Sequence, residues 1–113
     1  MAFLELQDIP EREFIPGFCG RAVHTENVTV MHWEIESGAE LPEHSHKHEQ
    51  VSNLIDGEFM MTIGGQNHLM TPGEVAVIPS GAVHSGRAIP PMPFSGYIPP
   101  GARRLQITRV TAN

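Results

Sequence analysis

Turn-forming residues punctuate this chain so often that helices have almost no room. Eleven Gly and ten Pro are spread over 113 residues, and the runs between them alternate with the two-residue period of strands. Val28 to Glu36 puts Thr29, Met31, Trp33 and Ile35 on one face and Val28, Val30, His32, Glu34 and Glu36 on the other. Phe59, Met61 and Ile63 alternate with Glu58, Met60 and Thr62 ahead of Gly64-Gly65, a pair that supplies the positive φ angles of a tight hairpin. Thr71-Pro72-Gly73 and Pro79-Ser80-Gly81 mark further turns, with Glu74 to Ile78 reading as a buried strand between them and Leu105 to Val110 as the last strand. Short strands at this spacing predict an all-β antiparallel sandwich or barrel rather than alternating strands and helices. Pro90-Pro91-Met92-Pro93 and Pro99-Pro100-Gly101 read as stiff loops at one rim, because too few residues follow them to build a second unit. Residues 1–113 are therefore expected to form one domain, with the first dozen lying across its outside or reaching a partner.

A chain this short buries a modest share of its surface, so closing the sheet on itself or pairing with a second copy helps it. Seven Lys and Arg against thirteen Asp and Glu give a formal charge of −6. That charge repels phosphate backbones and anionic lipid, which argues against nucleic acid or membrane partners. The longest unbroken apolar run, Val75 to Ile78, is far below the roughly 18 residues needed to span a bilayer. The single cysteine, Cys19, cannot form an internal disulfide, and the N-terminus lacks a basic-then-apolar secretion pattern, so a cytoplasmic setting is expected. Cys19 itself is expected to pack as a small hydrophobe.

Seven histidines are present, and His44, His46 and His48 cluster immediately before Gln50. In extended chain His44, His46 and Gln50 share parity and leave the same face. Neutral imidazole is the commonest metal ligand, and two of them two residues apart on one strand can take adjacent coordination positions. A third ligand must come from elsewhere, and His84, just after the Pro79-Ser80-Gly81 turn, is the candidate. His24, His32 and His68 read as surface or packing residues, with His32 the one whose strand could bring it into a cavity. The methionines and Trp33 read as core or interface filler. Because Val51 and Ile55 point opposite to the ligand face yet are apolar, a homodimer is expected, burying on the order of 1,200 Å² or more.

Taken together, these residues resemble the two motifs of the cupin superfamily. Gly38, His44, His46, position 50 and Gly57 match the first motif over residues 38–57; Gly73, Pro79, Gly81 and His84 match the second over 73–87. Gln50 stands where the first motif has Glu, Glu49 falls one place early, and Arg87 stands where the second motif ends in Asn. The resemblance implies a double-stranded β-helix, or jelly-roll barrel, holding one divalent ion (Zn, Ni, Fe or Mn) on His44, His46, Gln50 and His84.

Glu43 to Val51, followed by Ile55-Asp56-Gly57-Glu58-Phe59 and Thr62-Ile63-Gly64-Gly65, is similar to the pectin-degradation cupins. Those proteins help turn 4,5-unsaturated uronates into linear keto acids and use Gln as the fourth ligand. Their later Asp-x-Phe-x-Pro-x-Arg pattern, to which acid-base work is assigned, corresponds to Ser95 to Gly101 here. Tyr97 and Pro99 fit; Ser95 replaces the Asp and Gly101 the Arg, with Arg103 or Arg104 displaced along the chain.

Three imidazoles and one amide leave a cation its full charge, which suits polarising an oxygen of a bound sugar acid. Arg87, on the strand leaving His84, could receive a carboxylate bidentately. The leading expectation is therefore a metal-dependent enzyme on a carboxylated sugar, with Arg87 and Tyr97 as catalytic candidates and ring opening of an unsaturated uronate as the simplest reaction. A three-histidine iron dioxygenase and a non-catalytic metal- or ligand-binding module are the alternatives.

Overall fold

In the computed structural model of the chain, residues 3–90 and 104–113 are described, apart from the side chain of Arg104. Ser95, Tyr97, Pro99, Gly101, Arg103 and most of the proline-rich stretches lie outside them. Ten strands follow in chain order: β1 (Arg12–Ile15), β2 (Phe18–His24), β3 (Val28–Glu36), β4 (Glu40–His44), β5 (Gln50–Asp56), β6 (Phe59–Ile63), β7 (Gln66–Met70), β8 (Val75–Ile78), β9 (His84–Ala88) and β10 (Arg104–Ala112). One sheet runs β1-β2-β3-β10-β5-β8 and the other β4-β9-β6-β7, and every pairing is antiparallel. The expected all-β jelly-roll architecture is present. Among the described residues no helix is long and apolar enough to cross a membrane.

The core lies between the sheets and follows the alternation of the strands. Ile35, Leu54 and Phe59 are each 1% exposed, and full burial of such side chains contributes about 1.5–3 kcal/mol apiece. Met31 on β3, Met61 on β6 and Met70 on β7 are also buried, as is Cys19. Trp33 faces inward too, edge-on to Phe14 at 5.2 Å and to Phe18 at 6.1 Å. These methionines and Trp33 thus serve the interior as core filler. His32 is corrected as well: it alternates with Met31 and Trp33 and pairs with Arg21 and Thr108 on the outer face.

The strand over Glu74 to Ile78 is buried on one side only. Ile78 is fully buried, whereas Val75 and Val77 are 52% and 61% exposed, because they point to the outer face of β8, an edge strand of the six-stranded sheet. Register places Val77 beside Val51, Val51 beside Val110, Val110 beside Val30 and Val30 beside Val23. A row of five valines therefore crosses the outside of the six-stranded sheet. The N-terminal segment extends this sheet as β1 and is tied down by Arg21, whose guanidinium donates to the Ile9 carbonyl and pairs with Glu11 at 3.3 Å.

Two glycines are required by packing or conformation, one at the far end of β5 and one beside His84. Gly57 has φ +92°, and a Cβ there would fall on the Leu105 side chain. Gly86, on β9, lies against the Phe59 ring so closely that any Cβ would enter it. The chain thus spends a glycine beside His84 to let Phe59 fill the middle of the barrel.

Candidate metal centre

His44 closes β4 and His84 opens β9, and the two are paired directly across the four-stranded sheet. His46 and Gln50 arrive differently from the shared-strand expectation. The chain leaves β4 after His44, passes His46 in the connecting segment and enters the other sheet at Gln50. Convergence comes from this crossover between sheets rather than from parity on a single strand. The His46 carbonyl accepts from the Gly81 N–H at 2.8 Å, which fastens the first motif's connection to the second motif's turn.

The three imidazoles are held alike. His44 Nδ1 lies 2.8 Å from the Pro42 carbonyl, His46 Nδ1 2.7 Å from the His48 carbonyl and His84 Nδ1 2.9 Å from the Ala82 carbonyl. A carbonyl only accepts, so each Nδ1 carries a proton and donates it, and in the neutral form of the ring Nε2 is left bare. Ring centroids stand 4.1 Å apart for His44 and His84, 4.9 Å for His46 and His84, and 5.7 Å for His44 and His46. One nitrogen from each lies within 4.8 Å of the others.

Two observations show that this donor set fits a cation. His84 Nε2 is buried with no hydrogen-bond partner among the described residues, an expensive arrangement for a lone pair unless something electropositive meets it. Gln50 Oε1 lies 3.0 Å from His46 Nε2, so with His46 neutral two acceptors face each other. Gln50 is itself buried, and its amide nitrogen donates to Ser52 Oγ at 3.0 Å, which aims the oxygen at the histidines. Burial pushes the His84 pKa down, the hydrogen bond to Ala82 opposes this, and the neighbouring His44, His46 and Arg109 charges lower it further. His84 is thereby kept neutral, the form that ligates.

The other histidines stay out of this group. His48 and Glu49 are exposed, His24 meets Thr29 at 2.9 Å and His68 meets Glu74 at 3.0 Å on the surface. Arg87 alternates with Gly86 and Ala88 onto the outer face of β9, is exposed, and borders a depression shared with Glu40, Glu43 and Met60. The structure does not bring it to the histidines. Tyr97 lies outside the described residues.

Sequence reading missed Arg109 and Ser52, which are register partners between β10 and β5. Both line a cavity of about 240 Å³ together with Gln50, Trp33, Phe18 and Phe59. The signal was available: Leu105, Ile107 and Arg109 share the inward face of the last strand, and a charge at such a position asks for an explanation.

Comparison with known proteins agrees with this geometry. The family model for the cupin domain matches residues 31–94, a span that holds all four converging side chains. The chain belongs to the cupin family. Among solved structures it is similar to KdgF from Halomonas sp., at 20% identity and a TM-score of 0.80 over 100% of this chain and 94% of that one. An RmlC-like cupin from Shewanella frigidimarina NCIMB 400 gives 17% identity and 0.81 over 99% and 90%. Oxalate decarboxylase from Bacillus subtilis gives 21% and 0.73, over 97% of this chain but 29% of that protein. No curated protein matches the sequence. At these identities the structural likenesses establish the shared cupin fold.

Proposed function

We propose that this cupin is a metal-dependent enzyme that acts on a small carboxylated molecule by proton transfer or isomerisation. The observation that carries the reading is the set of three imidazoles with Nδ1 bonded to backbone carbonyls and Nε2 turned to one point, with Gln50 Oε1 beside them. A divalent ion held there supplies Lewis acidity, polarising a hydroxyl or carbonyl oxygen. His44, His46, Gln50 and His84 would hold it. All four donors are neutral, so the set cancels none of the ion's charge. Zinc, nickel, iron and manganese all suit imidazole and amide donors; manganese(II) centres occur in the similar Bacillus subtilis oxalate decarboxylase.

Ring opening of 4,5-unsaturated uronates, the reaction implied by the motif resemblance, is supported further by the likeness to KdgF and is the first activity to assay. Loss of absorbance from the conjugated double bond on incubation with metal-loaded protein would establish uronates as substrate, and no loss beyond a metal-stripped control would reject them. The three-histidine donor set equally supports an iron dioxygenase, which oxygen uptake with ferrous protein would reveal.

The one-domain organisation and the homodimer belong to the same proposal. The valine row across the six-stranded sheet supports the dimer by offering a contiguous apolar surface. Sedimentation at micromolar concentration should show two chains, and a monomer would overturn the dimer.

A further inference from the structure

Beside the histidines, the barrel interior contains a half-buried cation in apolar surroundings, with no ion pair among the described residues. Arg109 Nε is buried with no hydrogen-bond partner, and among the described residues no carboxylate forms an ion pair with the guanidinium. The guanidinium carbon lies 5.3 Å from the centre of the Trp33 ring, whose π face favours a cation. Burial alone lowers its pKa, and no acidic group offsets that cost. Holding a charge in such a place without a partner is destabilising, and folds keep such features where a ligand completes them.

The cavity around it has a definite chemical character. Its lining is Phe14, Ile15, Phe18, Trp33, Ile35, Leu41, Phe59, Met61 and Ile107 against three polar side chains, Gln50, Ser52 and Arg109. Gln50 and Ser52 are already bonded to each other, and the Gln50 oxygen faces His46. Arg109 therefore has donors to spare and little else in the chamber does. A sugar acid carries several hydroxyls, and each one left without a partner here is penalised by lost hydration. An acid with a flat or branched hydrocarbon body brings no such debt and gains from contact with Trp33, Phe18 and Phe59.

We infer that Arg109 anchors the carboxylate of a small, largely apolar monocarboxylic acid, such as an aryl carboxylate, whose body fills the chamber between Trp33 and Phe59. The guanidinium takes the carboxylate through paired N–H donors, as its fork geometry favours. Gln50 forms the wall between this chamber and the histidines, so the bound acid lies next to the metal centre. This narrows the substrate class of the proposed enzyme and rests on that reading only for what happens at the metal end; the anchor itself works with or without an ion.

Trp33 is the single tryptophan and lines the chamber, so its fluorescence reports occupancy directly. Full-length protein, stripped of metal and separately loaded with zinc, is titrated with benzoate, benzamide and galacturonate at constant ionic strength. Benzoate should change Trp33 emission saturably in both forms, with benzamide and galacturonate at least tenfold weaker. Arg109→Met should weaken benzoate at least tenfold, and Arg109→Lys should fall between. Ligand-free Arg109→Met should melt at the same temperature as wild type or higher, because an unpaired buried charge has been removed. A clearly lower melting temperature would mean that Arg109 serves the fold instead. Galacturonate binding as tightly as benzoate would overturn the apolar class, and benzoate binding unchanged in Arg109→Met, or absent from wild type, would overturn the anchor. Benzoate binding without metal uptake would leave the anchor standing and sink the metal enzyme, so the two failures are distinguishable.

Discussion

The histidine centre and the Arg109 chamber sit side by side, yet they are built on opposite principles. At the centre every imidazole has its second nitrogen bonded to a nearby carbonyl, so the ligand geometry is fixed by local backbone. In the chamber the polar group is left unsatisfied inside an apolar wall, and its orientation depends on strands from distant parts of the chain. The first arrangement would discriminate among ions by donor type, the second among organic acids by what they do not carry. The contrast shows how one small barrel can separate chemistry from recognition.

The largest effect expected from breaking the comparison is on the ion. A His44→Ala/His84→Ala protein should lose metal affinity by on the order of 100-fold or more, while a His24→Ala/His68→Ala control keeps it. Full metal content in the first variant, by elemental analysis after dialysis, would place the ion elsewhere. Benzoate capture by metal-stripped protein should survive the same loss.

Gly86→Ala strikes the chamber from the other side. Its new methyl would enter the Phe59 ring, and overpacking of this kind costs about 1–3 kcal/mol, several degrees in melting temperature for a domain of this size. Benzoate affinity should fall with it, whereas zinc stoichiometry should stay at that of wild type. An unchanged melting curve would show that Phe59 yields freely.

Gln50 is the one side chain common to both regions, and Gln50→Glu separates its duties. A carboxylate is the better ligand, so zinc should bind as well or up to about tenfold tighter, while the added negative charge lowers the Lewis acidity and slows turnover. The same charge near Arg109 should weaken benzoate. If metal affinity and turnover both stay put, Gln50 is a wall and not a ligand.

The smallest expected effect is on pH dependence. His84 is held below its ordinary value of 6.5, first by burial, so between that lowered value and 6.5 the unfolded chain binds more protons than the folded one. Stability of the metal-free protein should therefore be complete above pH 6.5 and decline as pH falls below it. Urea midpoints at several pH values, compared with His84→Asn, measure this; an identical slope in the variant would assign the dependence to other groups.

How much of this was legible in the sequence follows from the same contrast. Spacing along the chain carried the strands, the turns and the identities of His44, His46, Gln50 and His84, because the motif residues and their glycines lie close in sequence. The parity argument for His44 and Gln50 failed because alternation within a strand says nothing about where a chain changes sheets. Val75 and Val77 looked buried since a run of apolar residues does not reveal that its strand is at an edge. Arg87 was favoured on proximity to His84, but Gly86 carries the inward position on β9 and Arg87 the outward one. Arg109 meets Ser52, Met31 and Trp33 only through non-local pairing, which no local pattern encodes.

The three carbonyls of Pro42, His48 and Ala82 have a further consequence for how the protein would acquire an ion. Because they fix tautomer and ring angle in the folded chain before any cation arrives, uptake demands little reordering and need not be coupled to folding. The folded barrel would be the receptor, and the unfolded chain, lacking the convergent set, would not compete. Metal then acts as a thermodynamic clasp: at a free concentration about 100 times its dissociation constant it adds about 2.7 kcal/mol to stability, with the secondary structure of the metal-free protein already in place.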